Sequence, residues 1–109
     1  MNAERSPEDV FRALADPTRR ALFETLCREG EQSVGTLTRS AGVSQPAVSK
    51  HLAALRQAGL VRDRPSGRET HYSPRPEALA PLTDWTRDMT GVWTARLDAL
   101  ETLLNRMDQ

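Results

Sequence analysis

Ser44-Gln45-Pro46-Ala47-Val48-Ser49-Lys50-His51-Leu52-Ala53-Ala54-Leu55-Arg56-Gln57-Ala58-Gly59 is bounded at both ends by residues that start and stop helices. Ser44 offers a side-chain oxygen to the amides of a first turn, Pro46 is tolerated in that turn, and Gly59 can take the left-handed conformation that closes a helix. These marks predict a helix of about four turns, roughly 20 Å long at 1.5 Å per residue. Val48, Leu52 and Leu55 then share one face, while Pro46, Ser49, Lys50, Ala53 and Gln57 point away from it. A helix face meant only for water usually carries Glu and Lys pairs. This one has small residues, hydroxyls and an amide near its N-terminus and no acid, so it can approach a polyanion closely.

Upstream, Val34-Gly35-Thr36-Leu37-Thr38-Arg39-Ser40 reads as a short helix and Ala41-Gly42-Val43 as a tight turn into the longer one. This is helix-turn-helix spacing, in which the second helix enters the major groove of DNA with its N-terminal residues at the base edges. An ordinary helical hairpin has the same spacing, and the rest of the chain has to decide between them.

A chain of 109 residues supports one small domain, in which a monomer buries a modest share of its surface and a second subunit would help. No apolar run is long enough to span a membrane and no leader pattern opens the chain, while a lone cysteine, Cys27, can form no internal disulfide. A reducing cytoplasm is the expected setting. Charge is balanced overall, 15 basic against 15 acidic side chains, which argues against an indiscriminate nucleic-acid binder. Its distribution is uneven. From Arg39 to Arg75 there are seven basic residues (Arg39, Lys50, Arg56, Arg62, Arg64, Arg68 and Arg75) against Asp63 and Glu69, a net +5 that the flanks must offset with −5. A basic stripe in an otherwise acidic chain is the footprint of a phosphate-contacting surface.

Ahead of the stripe, Ser6-Pro7-Glu8-Asp9 supplies a cap, a first-turn proline and an acid at the third position, opening a helix with Val10, Phe11 and Leu14 on one side. Asp16-Pro17-Thr18 repeats the signal for a second helix that buries Ala21, Leu22, Leu26 and Phe23 and stops near Gly30. Cys27 lies near that apolar stripe, where a packed, inert thiol is expected rather than a redox sensor. Past Gly59 the period changes. Leu60-Val61-Arg62-Asp63-Arg64 and Glu69-Thr70-His71-Tyr72-Ser73 read as two strands joined through Pro65-Ser66-Gly67-Arg68, a hairpin with arginines at its base and tip. Directly behind a helix-turn-helix, such a hairpin makes a wing. Arg68 is its first candidate for a phosphate contact, with Arg62 and Arg64 next.

Pro74, Pro76 and Pro81 interrupt the chain before a last long helix. Along it Leu82, Trp85, Met89, Val92, Trp93, Leu97, Leu100, Leu103, Leu104 and Met107 recur at spacings of three and four. The stripe is too long for a chain of this size to cover alone. A two-fold partner joined through this helix and the first one, Val10 included, is the expected cover. Trp85 and Trp93 can anchor that interface or line a ligand pocket; the interface is the simpler reading.

Phe11-Arg12-Ala13-Leu14-Ala15-Asp16-Pro17-Thr18-Arg19-Arg20 resembles the opening signature of the ArsR/SmtB family of bacterial winged-helix repressors. The run from Ser44 to Leu55, followed by Ala58-Gly59-Leu60-Val61, resembles that family's recognition helix almost position for position, and with Gly67-Arg68 and Tyr72 the match spans roughly residues 8–73. The resemblance implies a mainly helical winged helix-turn-helix with a small β-hairpin. It implies a DNA-binding core over about 6–73 and a dimerisation helix over about 76–107, in a homodimer that binds a palindromic operator in double-stranded DNA through the recognition helix 44–58 and wing 60–73. By matching position, Ser44, Gln45, Ser49 and His51 become the polar residues of the groove side, alongside Pro46, with Lys50, Arg56 and Arg68 on the backbone. His51 also sits at the edge of the buried face, where a packed histidine fits equally well, and His71 reads as a strand-pairing or surface residue. The last helix, with Trp85 and Trp93, is similar to a non-metal-sensing branch. Founding members hold metal through a cysteine pair before the recognition helix or through acids and histidines on the last helix. Here Val34 to Thr38 contains no cysteine, and Asp84 and Asp88 stand without a histidine, so no metal or other cofactor is expected.

Three classes of function compete for these residues. A DNA-binding repressor accounts for the stripe, the acid-free helix face and the wing. A winged helix that binds protein instead of DNA is the alternative, since fold does not fix function. An enzyme fares worst and is not expected, because no nucleophile with a positioned base, paired catalytic acids, phosphate-cradling glycine loop or metal cluster is legible in the sequence. An effector that releases the protein from DNA is encoded in no motif.

Overall fold

The computed structural model describes residues 6–108, in the order α1 (Pro7–Ala15), α2 (Pro17–Glu29), β1 (Gln32–Ser33), α3 (Val34–Ala41), α4 (Gln45–Gln57), β2 (Val61–Ser66), β3 (Glu69–Pro74), a 3-10 turn (Pro76–Leu79) and α5 (Ala80–Met107). Each of the first four helices starts at a side-chain cap. Ser6 and Asp9 form a reciprocal capping box, Asp16 Oδ1 accepts from the Arg19 amide at 3.0 Å, Ser33 Oγ from Thr36 at 3.1 Å, and Ser44 Oγ from Ala47 at 3.3 Å. The ends are equally explicit. Gly42 sits at φ 74 in the turn between α3 and α4. Gly59, at φ 80, closes α4, with the Leu60 amide donating to the Leu55 carbonyl and the Gly59 amide to the Arg56 carbonyl, the paired bonds of a Schellman motif.

The sheet has the order β1-β3-β2 and is antiparallel throughout. β2 and β3 pair from Val61↔Pro74 to Ser66↔Glu69 around a two-residue turn in which Gly67 alone takes positive φ, as in type II′. Pro65 lies within β2, where it is tolerated because β2 is an edge strand. β1 is a third strand that the sequence reading did not anticipate. Its two residues pair Gln32 with Tyr72 and Ser33 with His71, and Ser33 then caps α3, so the wing is hydrogen-bonded to the start of the helix-turn-helix.

One core joins these elements: Val10 and Ala13 from α1, Leu22, Phe23 and Leu26 from α2, Leu37 from α3, Val48, Leu52 and Leu55 from α4, and Ala58, Leu60, Val61 and Tyr72 beyond it. Two expectations for α2 change. Ala21 and Cys27 are exposed, because the helix packs on one narrow face centred on Leu22 and Leu26, and both residues lie outside it. Val10, expected at a subunit boundary, is 0% exposed and packed in the protomer's own core; its neighbour Phe11 is the exposed apolar side chain of α1.

α5 departs from this compact body. Its 28 residues extend about 42 Å at 1.5 Å per residue, and only its first turn, at Leu82, packs on the core. An edge-to-face contact between Phe11 and Trp85, with centroids 5.3 Å apart, ties its base to α1. The radius of gyration is 19.9 Å, against about 13 Å for a compact chain of this length.

Candidate nucleic-acid interface

α4 presents two chemically opposite faces. Val48, Leu52 and Leu55 are fully buried, while Ser44, Gln45, Pro46, Ser49 and Lys50 are exposed around its N-terminal turn. No acid lies in that turn, so the positive end of the helix dipole and Lys50 act together on whatever approaches. The geometry suits a phosphate backbone with base edges beyond it. α3 is held behind α4 by Leu37, which is buried, and by the αL turn at Gly42.

His51 is half-buried, and its Nδ1 is enclosed without a hydrogen-bond partner. It stands beside the cap of α2. The Asp16 carboxyl is held below its usual value, first by the hydrogen bond from the Arg19 amide, and a charge on His51 adds to the effect. The histidine thus faces the scaffold through at least one ring nitrogen, the packed position that the sequence left open.

In the wing, strand alternation separates two sets of side chains. Val61, Asp63 and Tyr72 lie on the core side, and Arg62, Arg64, His71 and Ser73 on the other. Each set contains a pairing that links the wing to the rest of the protein. On the core side Arg56 Nη1 of α4 donates to Asp63 Oδ2 at 3.0 Å. On the outer side Glu31, between α2 and β1, accepts from two side chains and has a third beside it. Arg64 bonds it through Nη2 and Nε, Ser73 Oγ donates to Oε1 at 2.9 Å, and His71 Nδ1 lies 3.6 Å from Oε2. The Arg64 and Ser73 hydrogen bonds hold the Glu31 carboxyl below the ordinary range.

The expected phosphate contacts therefore divide into two groups. Arg56 and Arg64 already have carboxylate partners within the protomer. Among the described residues no carboxylate lies within ion-pair distance of Lys50, Arg62 or Arg68, and all three are exposed, Arg68 at the tip of the wing. No sequence signal showed the division, because Glu31 and Arg64 are 33 residues apart and come together only when β1 joins the sheet.

Along α5 the residues expected at a subunit interface are brought into one exposed stripe: Trp85, Met89, Val92, Trp93, Leu97, Leu100 and Leu104, with Trp93 58% exposed. Leu82 is half-buried against the protomer's own core. Arg96 lies 6.0 Å from the Trp93 ring. Among the described residues no three His, Cys, Asp or Glu side chains gather as a metal site. Cys27 is exposed, and partial desolvation pushes its thiol up, away from the reactive thiolate.

Residues 14–64 match the model of a helix-turn-helix domain. The chain is 49% identical over 96 residues to the HTH-type transcriptional regulator Rv2034 of Mycobacterium tuberculosis, covering 84% of this chain and 89% of that one. It is 32% identical over 77 residues to the transcriptional repressor SdpR of Bacillus subtilis, covering 71% and 84% of the two chains. Among solved structures, the ArsR-like transcriptional regulator from Rhodococcus sp. RHA1 matches with a TM-score of 0.75 at 33% identity, over 88% of this chain and 90% of that one.

Proposed function

The chain belongs to the ArsR/SmtB family of winged-helix, DNA-binding transcriptional regulators, and we propose that it acts as a homodimeric repressor of a palindromic operator in the cytoplasm. In this reading residues 6–73 bind DNA and residues 76–107 join the subunits. Ser44, Gln45 and Ser49 read base edges in the major groove, Lys50 and Arg68 hold the phosphate backbone, and Arg62 adds to the positive field beside them. Bound across a promoter, the dimer blocks access by polymerase.

The observation that carries this reading is the exposed, acid-free first turn of α4, with Lys50 further along the same helix and Arg62 and Arg68 on the wing, none of the three within ion-pair distance of a carboxylate among the described residues. Non-specific binding would need the cations alone; Gln45 and the hydroxyls of Ser44 and Ser49 add groups that can discriminate bases. The unburied stripe of α5 supports the dimer. A two-fold arrangement would bring two α4 helices to successive major grooves, with half-sites about 34 Å apart or a multiple of that. The test is fluorescence-anisotropy titration against the DNA upstream of the protein's own gene and against scrambled DNA, over a salt series. Tight binding to the first alone, weakening steeply with salt, is the expected result. Equal, weak binding to both, together with an empty genome-wide binding selection, would replace DNA by a protein partner.

A further inference from the structure

The outer face of the wing carries an arrangement that phosphate binding does not explain. Glu31 is an acid placed within a basic surface, and its carboxylate is spent on Arg64 of β2 and Ser73 of β3, with His71 of β3 beside them. A surface built only to attract phosphate gains nothing from an acid that neutralises one of its arginines. Glu31 has a particular position in the chain. It follows Gly30, which ends α2 at φ 83, and precedes β1, which pairs with β3 and leads through the Ser33 cap into α3. A bond from Glu31 to Arg64 therefore connects the far strand of the wing, which β1 does not touch, to the segment that starts the helix-turn-helix. The Arg56–Asp63 pair does the same from the opposite face, between β2 and α4. β2 is the free edge of the sheet, and these two pairs add to its ladder with β3, the burial of Leu60 and Val61 and the Arg75 amide's bond to the Leu60 carbonyl in fixing its pitch.

The geometry points to Glu31 as a positioning residue for the wing: through Arg64 and Ser73 it fixes the angle at which Arg68 is presented beside α4, and Arg64 serves this latch instead of a phosphate. The inference rests on the DNA-binding reading above and changes one assignment within it. Arg64 leaves the set of backbone contacts, while Lys50, Arg62 and Arg68 remain. His71, opposite Arg64 in the ladder, lies beside the same carboxylate, its Nδ1 3.6 Å from Oε2.

The experiment is anisotropy binding of the full chain to a mixed-sequence 30-base-pair duplex over a low-salt series, because backbone contacts report on any sequence. The variants are Glu31→Gln, Arg64→Ala, Arg68→Ala and the doubles Glu31→Gln/Arg64→Ala and Glu31→Gln/Arg68→Ala. A latch predicts that Glu31→Gln and Arg64→Ala each weaken binding about three- to fivefold, the scale of an exposed ion-pair network, and that together they weaken it no further than either alone. Arg64→Ala keeps the wild-type salt slope, whereas Arg68→Ala lowers it by about 0.9. Arg68→Ala also costs less in the Glu31→Gln background. Glu31 and Arg68 are not paired in the structure, so this coupling is one that a mere loss of stability would not produce. Thermal melts establish that the variants are folded, and Ser73→Ala, which removes one donor alone, replaces Glu31→Gln if that chain does not fold. Tighter binding by Glu31→Gln, or a lower salt slope in Arg64→Ala, would overturn the latch and return Arg64 to the phosphates. Wild-type protein that shows no salt-dependent binding would overturn the DNA-binding reading instead, and the latch with it as a device for presenting Arg68.

Discussion

Gln45 and Lys50 stand five residues apart on one helix and are expected to fail in different ways. Gln45 carries an amide that can pair bidentately with a base edge, so Gln45→Ala should relax sequence preference by about 1–3 kcal/mol at one operator position and leave non-specific affinity intact. Lys50 is a point charge beside the dipole of α4, so Lys50→Ala should weaken binding to all sequences and lower the salt slope by about 0.9. A competition series of single-base operator variants separates the two. Unchanged discrimination by Gln45→Ala would move base readout to Ser44 and Ser49. Titration adds a second test at this scale. Glu31 is held below the usual carboxyl range, first by Arg64 and then by Ser73. A depressed folded value means that its contribution is complete above the ordinary Glu value of about 4.3 and is lost as pH falls through the lower folded value. In an NMR titration the Glu31 side-chain carboxyl resonance should report an ionised group down to about pH 5 and protonation only in more acidic solution. Arg64→Ala should bring the Glu31 midpoint back toward the ordinary value, and an ordinary midpoint in the wild type would show that the bonds do not persist in solution.

At the scale of elements, the turn between α3 and α4 depends on one residue. Gly42 is at φ 74, with open space where a Cβ would stand, so the cost of a side chain there is backbone strain alone. Gly42→Ala should destabilise the fold by about 1–2 kcal/mol in urea titration, with no clash to relieve. Leu52→Ala, at a position with no exposure at all, should cost about 2–5 kcal/mol. If Gly42→Ala were neutral, the left-handed turn would not be what sets α3 against α4. These elements were legible because local chemistry marks them. Ser6, Asp16, Ser33 and Ser44 are caps, Pro7, Pro17 and Pro46 stand in first turns, and Gly30, Gly42 and Gly59 are stops. What was not legible lacks a local mark. β1 is two residues long, too short for alternation to register. Ala21 and Cys27 are apolar enough to be assigned to the core, and only the packing direction of α2 leaves them outside. The Arg56–Asp63 pair engages an acid inside the basic stripe and the Arg64–Glu31 pair an acid outside it, so charge counting overstated how many arginines are free for phosphate.

For the whole molecule, the decisive quantity is the surface that α5 leaves uncovered. Nine of its large apolar side chains, from Trp85 to Met107, are exposed, along a helix whose first turn alone is packed. Soluble monomers rarely leave so extended an apolar stripe in water, and its three-and-four spacing is that of a helix meant to lie along another helix. A second copy would supply the same stripe in reverse under two-fold symmetry, which would make the surface self-complementary without any other partner. Phe11 extends it at the base through its contact with Trp85, while Val10 is already used inside the protomer. The consequence is measurable by sedimentation equilibrium. The wild-type chain should be a dimer at micromolar concentration, and Trp93→Asp with Leu97→Asp should be a folded monomer, since the substitutions lie beyond the packed turn and touch no core residue. Each truncated anchor in such an interface is worth about 2–4 kcal/mol, enough for a pair of them to shift the equilibrium by several powers of ten. Operator affinity should fall with dimerisation, because one α4 reaches only one half-site, whereas the thermal stability of the winged core should change little. A wild-type chain that remained monomeric at every concentration while still binding an operator with two-fold symmetry would assign α5 a different cover and place the symmetry in the DNA alone.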